Sequence, residues 1–207
     1  MISFPGSSTV GRILPKEVFY KKLNLSTDLK GKFVSSIRRI VVENSLTEST
    51  LHLKPGTEVN EIIVLALDLK KQAVDDRIPE IIARQNKHNI LFWLRYEEQG
   101  QFALCFNKLY KTEWQPLESM YLETKGFTLD EVWNGYVEQI ALNNESGQII
   151  EEAPVAYRLK RQEDILKLEK SIEQLDKAAR AEKQPKKKFE LAMQVQQTKK
   201  ELDDFIK

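Results

Sequence analysis

The sequence predicts an α+β fold in which a mostly antiparallel sheet with packed helices is followed by a C-terminal helical hairpin of coiled-coil type. Up to about residue 145, apolar runs of strand length alternate with short amphipathic segments. Beyond residue 157, apolar residues recur in steps of three and four instead. We therefore expect an α+β domain at residues 1–145, a linker at 146–157 and a helical hairpin at 158–207.

Composition narrows the class of protein. The 207 residues are 41% hydrophobic, enough for one core, and the single cysteine, Cys105, excludes an internal disulfide and a cysteine-based zinc site. No apolar stretch approaches the roughly 20 residues that a membrane span needs, and the N-terminus lacks a signal-peptide pattern. We expect a cytoplasmic protein that has no membrane contact and needs no metal or cofactor.

The N-terminal part is expected to be helical. Pro15 predicts the start of a short helix at residues 16–23, because its fixed φ suits the first helical position. Ser26 and the two residues after it offer the cap of a second helix, which should run through Phe33. The first strand is expected near Arg39, where β-branched residues follow.

The centre of the sheet is predicted at residues 61–69, because EIIVLALDL is apolar enough to be covered on both faces. Residues 90–96 and 102–106 are two more apolar runs. The glycine-bearing loop at residues 97–100 predicts that they form an antiparallel hairpin. A helix should begin at Thr128 and place six apolar residues on one face: Leu129, Val132, Trp133, Tyr136, Val137 and Ile140.

Two apolar seams predict the C-terminal hairpin. They consist of Ile165, Leu168, Ile172 and Leu175, and of Leu191, Val195, Leu202 and Phe205. The seams are out of phase, and Pro185 between them would remove a helical hydrogen bond. A reversal near residues 182–186 explains both observations, and a single kinked helix is the alternative. A pair of helices of this size is marginal alone, so we expect the seams to be buried on the domain or on a second copy.

Asp68 and Lys70 are weak candidates for catalysis. With Glu58 and Glu61 upstream, an Asp-x-Lys strand end has the residue types with which nucleases hold magnesium and assist an attacking water. The same spacing arises wherever a buried strand ends in solvent. A metal-dependent nuclease is therefore the alternative function, and no catalytic residue is assigned.

Positive charge is concentrated in the C-terminal part. Residues 158–207 carry a net charge of +4 and residues 1–157 a net charge of −3. Five cations lie within nine residues at the predicted reversal: Arg180, Lys183, Lys186, Lys187 and Lys188. Three of them stand at a helix start, where the macrodipole is already positive. This predicts binding to an anionic partner, either a phosphate backbone or an acidic protein face, with a solvated turn as the alternative.

Several segments also carry a family resemblance. They include Leu14-Pro15-Lys16, the run at residues 61–65 and, most specifically, Glu182-Lys183-Gln184-Pro185 followed by basic residues and Glu190-Leu191. Together these segments resemble the bacterial and archaeal domain-of-unknown-function family numbered 4391, over nearly the whole chain. No activity is established for that family, whose members tend to be encoded beside helicases and DNA methyltransferases of restriction or phage-defence systems.

The resemblance implies an accessory role rather than an enzymatic one. The expected function is a non-enzymatic subunit that docks a protein partner, such as a helicase or a methyltransferase. DNA is a second expected ligand of the basic reversal. Self-association through the C-terminal helices is a further expectation.

Overall fold

The structure, a computed structural model, describes residues 4–54, 56–142 and 153–206. The chain divides into two compact units, residues 1–143 and 144–207. Residues 146–152 of the predicted linker lie outside the described residues. The first helix of the second unit begins at Val155, within the last part of that predicted linker.

A sheet forms the centre of the first unit. Within the described residues its strands are β1 (Thr9–Leu14), β2 (Ile37–Leu46), β3 (Ile62–Leu69), β4 (Asn89–Tyr96), β5 (Gln99–Phe106), β6 (Lys108–Lys111) and β7 (Gln115–Pro116). The order across the sheet is β1-β2-β3-β4-β5-β6, and β7 pairs with β5. β3 and β4 are parallel, whereas the other pairs are antiparallel. The predicted α+β class with a mostly antiparallel sheet is therefore confirmed.

Three of the helices described in the first unit follow the predicted starts at Pro15, Ser26 and Thr128. They are α1 (Lys16–Lys22), α2 (Thr27–Ser36), α3 (Glu48–Leu51), α4 (Arg77–Arg84) and α5 (Leu129–Ala141). The Ser26 hydroxyl caps α2 by accepting a hydrogen bond from the Leu29 N–H at 3.2 Å. At α4 the carboxylate of Asp75 accepts from the Arg77 N–H at 3.1 Å.

The core lies on both faces of the sheet. Leu65 and Leu67 of β3 belong to one buried cluster with Phe33 of α2 and Ile78 of α4. Ala66, between Leu65 and Leu67, points the other way, because side chains alternate along a strand. Helix α5 packs against β5 and β6, and all six residues of its predicted apolar stripe are buried. Val64 and Ala66 of β3 are fully buried as well, so this central strand is covered on both faces, as its sequence predicts.

Two local expectations are wrong. The first strand is β1, not a strand near Arg39, and its side chains are exposed except for Leu14, so it shows no apolar alternation. Pairing with β2 holds it in place. The predicted loop at residues 97–100 is a two-residue turn, because Tyr96 and Gln99 are already register partners. Gly100 lies inside β5, where a Cβ atom would come within 2.2 Å of the sulfur of Met120.

The second unit is a helical hairpin, which confirms the predicted reversal over the kinked helix. Helices α6 (Val155–Ala181) and α7 (Pro185–Ile206) pack against each other. Val195 is buried, Leu175 is half-buried and Phe205 is 41% exposed. None of the helices in the described ranges combines the length and apolar character that a membrane span requires.

Candidate functional site

A network of arginines and carboxylates lies where the parallel strands β3 and β4 end. Asp68 and Arg95 are register partners there. One oxygen of Asp68 accepts a hydrogen bond from Nε of Arg95 at 2.7 Å, and the other accepts from Nε of Arg39 at 2.6 Å. Nη1 of Arg95 also donates to Glu43 at 2.7 Å. Both oxygens of Asp68, a weak candidate for catalysis, are therefore engaged by guanidinium groups.

A β-bulge brings a further arginine to this network. Ile37 pairs with Leu69 and Arg39 pairs with Asp68, so β2 advances by two residues while β3 advances by one. The extra residue is Arg38. Bulges change the direction of a side chain locally, which explains how two successive residues of one strand line the same space.

That space is an open cavity of about 680 Å³. We call it the arginine cleft, and its lining residues are Arg38, Arg39, Asp68, Leu69, Arg95, Glu97 and Leu117. Leu69 is buried and Leu117 is partly buried, so the cleft has an apolar part beside its charged part.

Arg95 is held on several sides. Its guanidinium carbon lies 4.6 Å from the ring centroid of Trp93, a cation–π distance. The indole N–H of Trp93 in turn donates to the sulfur of Met120 at 3.2 Å. Together with the bonds to Asp68 and Glu43, this contact fixes the guanidinium of Arg95 within the cleft.

Lys70, the second weak candidate for catalysis, contacts the end of helix α2. Its ammonium group donates to the carbonyl of Val34 at 2.9 Å, and the ammonium of Lys16 donates to the nearby carbonyl of Ile37. Cations are favourable there, because a helix C-terminus has free carbonyl groups and partial negative charge. Burial, followed by the charge of Lys70, lowers the pKa of Lys16. Lys70 therefore contacts a helix end, whereas Asp68 contacts arginines.

The acids upstream of Asp68 do not lie beside it. Glu61 precedes the first residue of β3, where it accepts a hydrogen bond from Ser45 and pairs with His88 at 3.1 Å. Glu58 is exposed. The described residues contain no group of three or more His, Cys, Asp or Glu side chains placed to hold a metal ion. Burial, followed by the charge of Glu80, raises the pKa of Cys105 to about 11, so its thiol is protonated at neutral pH.

The predicted basic residues lie at the turn of the C-terminal hairpin. Helix α6 ends at Ala181 and α7 begins at Pro185, so the four lysines stand in the connection and in the first turn of α7: Lys183, Lys186, Lys187 and Lys188. We call them the tip lysines. All four are exposed, and none of their ammonium groups pairs with a carboxylate among the described residues. Arg180, in contrast, pairs with Asp176 at 2.5 Å.

Two apolar side chains next to the tip lysines belong to neither of the predicted seams. Phe189 is 66% exposed and Met193 is 53% exposed. They are four residues apart and therefore share one helix face, which lies about 160° around the helix from the seam position Leu191. The sequence does contain a signal for this face, because Phe189 and Met193 are apolar residues four positions apart that lie outside the seam.

The comparison with protein families covers nearly the whole chain. The family model described as a domain of unknown function, DUF4391, matches residues 2–202. The chain belongs to this family. The DUF4391 match includes both the arginine cleft and the hairpin, and it confirms the resemblance seen in the sequence. Comparisons of this DUF4391 chain with curated proteins and with solved structures gave no match.

Proposed function

We propose that this protein is a non-enzymatic accessory subunit of a bacterial restriction or phage-defence system, which docks a protein partner through the tip of its C-terminal hairpin. The supporting observation is the set of tip lysines, which are exposed and have no carboxylate partner among the described residues. The defence system, with a helicase or a methyltransferase as the partner, is suggested by the genes that tend to accompany this family.

The position of the tip lysines favours binding over stability. Three of them stand in the first turn of α7, where each cation costs about 0.3–1 kcal/mol against the helix dipole. Exposed charges add little to folding stability, but they steer association with an oppositely charged surface. A cluster that is unfavourable for its own helix is therefore best explained by an anionic partner.

The apolar neighbours of the tip favour a protein over DNA as that partner. Phe189 and Met193 follow Lys186 by three and seven residues, so the three side chains share one face of α7. The phosphates of a nucleic-acid backbone can pair with cations, but the backbone has no apolar pocket that would bury an aromatic ring on a helix face. A protein surface with acidic groups around an apolar pocket matches both kinds of side chain. DNA contact by the lysines is the second ligand in this proposal.

Co-purification tests the proposal directly. The tagged chain is expressed in its native host, and partners are identified by mass for the wild type and for Lys186→Glu, Lys187→Glu and Lys188→Glu combined. A matched control reverses three exposed lysines of the same hairpin away from the tip: Lys170, Lys199 and Lys200.

The possible results distinguish docking of a protein through the tip from DNA binding and from self-association. We expect one protein to be captured by the wild type and by the control but to be lost from the tip variant. Equal capture by all three chains would contradict docking through the tip. Loss of DNA alone from the tip variant would show that the lysines bind nucleic acid. Light scattering of the purified wild type tests self-association through the helices, which would give a dimer in the absence of any partner.

A further inference from the structure

We propose that the arginine cleft is a second ligand site, independent of the hairpin tip, and that it binds a phosphate monoester through Arg38 and Arg39. This site goes beyond the docking function. It is carried by the two arginines that the β-bulge brings to one cavity and by the donors that they leave available.

The available donors are guanidinium groups. Arg39 donates to Asp68 through Nε, and its two terminal nitrogens make no hydrogen bond to any described residue. Arg38 makes neither a hydrogen bond nor an ion pair with the part of the chain that the structure describes. A guanidinium presents its N–H groups as a planar fork that matches two oxygens of a phosphate. Two such forks from adjacent residues can bind one phosphate from two sides.

The carboxylates of the cleft orient Arg39 and Arg95 and leave Arg38 without a carboxylate partner among the described residues. Asp68 lies between Arg39 and Arg95, so two guanidinium groups share its single negative charge. The lining residues include three arginines and two acids, Asp68 and Glu97, and a third acid, Glu43, pairs with Arg95. Arg95 is stacked on Trp93 and bound to Glu43, so it is a positioning residue and not a ligand-binding one.

The place and size of the cleft also fit a small ligand. It lies at the carboxyl ends of the parallel pair β3 and β4, the position at which sheets with parallel strands most often bind ligands. Its volume of about 680 Å³ falls in the range of roughly 300–1,000 Å³ typical of small-molecule sites. Leu117, which is partly buried, supplies an apolar wall for the organic part of a phosphate ester.

The test is calorimetric titration of the full chain with inorganic phosphate, adenosine monophosphate and a 5′-phosphorylated oligonucleotide, all at low salt. We expect binding of a phosphate in at least one arm, and the arms distinguish a free nucleotide from a strand end. Arg38→Gln should weaken that binding at least about tenfold, since a hydrogen-bonded charge pair is lost. Arg38→Lys should restore part of it, because it keeps the charge without the fork.

Controls separate the cleft from other cations. Arg12→Gln removes an exposed arginine of β1 outside the cleft and should bind as the wild type does. The tip variant with three glutamates should also bind normally. If the tip variant loses phosphate binding and Arg38→Gln keeps it, the proposal of a phosphate site in the cleft is overturned. The proposed docking function would not be affected by that result. Absence of binding to all three probes, or equally tight binding of citrate, would overturn the phosphate site as well.

Discussion

Replacement of Asp130 by alanine should destabilise the first unit by about 2–3 kcal/mol. This carboxylate stands in the first turn of α5, and its two oxygens hold the segment that precedes β3. One oxygen accepts hydrogen bonds from the N–H and the hydroxyl of Thr57, at 2.6 and 2.9 Å. The other accepts from the N–H groups of Glu58 and Val59, at 3.1 and 2.7 Å. A single side chain thus organises three successive residues.

The magnitude follows from the exposure of the four donors. The bonds from Thr57 and Glu58 are exposed, so water can replace the carboxylate there, whereas the Val59 N–H is partly buried. The loss of one hydrogen bond to a charged group costs about 1.5–3 kcal/mol. Loss of an acid from a helix start adds about 0.3–1 kcal/mol. Asp130→Asn keeps one accepting oxygen but turns its amide NH2 group toward the remaining donors, so it should also be destabilising.

Urea and thermal unfolding measure this effect. In a chain of this size a loss of 2–3 kcal/mol lowers the melting temperature by roughly 5–10 °C. Asp76→Ala is the control, because Asp76 only forms an exposed ion pair with Lys111 and should cost less than about 1 kcal/mol. An Asp130→Ala variant within about 0.5 kcal/mol of the wild type would refute the reasoning.

The effect should also depend on pH. Burial opposes ionisation of Asp130, but the hydrogen bonds from Thr57, Val59 and Glu58 outweigh it and lower the pKa of this carboxyl. A lowered pKa in the folded state means that the stabilisation is complete above the unfolded value of about 3.9 and is lost as the pH falls through the folded value. The difference between the wild type and Asp130→Asn should therefore be constant from neutral pH to about pH 5 and shrink below about pH 4.

Three further predictions concern the hairpin and catalysis. Leu175→Asp should lower the melting temperature or dissociate an oligomer, because Leu175 is half-buried, whereas Leu166→Asp, at a position 55% exposed, should change neither. Reversal of Lys186, Lys187 and Lys188 to glutamate should leave the melting temperature unchanged or slightly raised, since acids suit a helix start, while partner binding weakens and loses salt dependence; equal affinities at low and moderate salt would contradict this. The purified chain should not cleave DNA or RNA with magnesium or manganese, and cleavage that disappears in a folded Asp68→Ala variant would reverse that expectation.

The sequence contains enough information for those elements whose signal is local. The apolar run at residues 61–69 predicts a covered central strand, and the stripe that begins at Leu129 predicts the buried face of α5. Pro185 and the phase change between the seams predict the hairpin. In each case the pattern of neighbouring residues and the structure have the same physical cause, which is the burial of one face or one segment.

The two candidate sites also differ in whether a local pattern in the sequence predicts them. The tip lysines are found from the sequence, because a run of cations at a helix start is close together whatever the rest of the chain does. The arginine cleft is not, because Arg39, Asp68 and Arg95 are separated by 29 and 27 residues and meet only through strand pairing. Spacing alone paired Asp68 with Lys70, but Lys70 instead contacts Val34 in α2.

By itself, therefore, the sequence determines those strands and helices that have a local apolar pattern, which of their faces are apolar and where charge accumulates along the chain. Only the tertiary structure decides that β1 pairs with β2, that β3 and β4 are parallel and that a bulge at Arg38 adds a guanidinium to the cleft. Local periodicity records whether a side chain is buried, but not which distant strand covers it. A hydrogen bond or an ion pair depends on that choice of partner, so the chemistry of the cleft emerges only when the sheet is assembled.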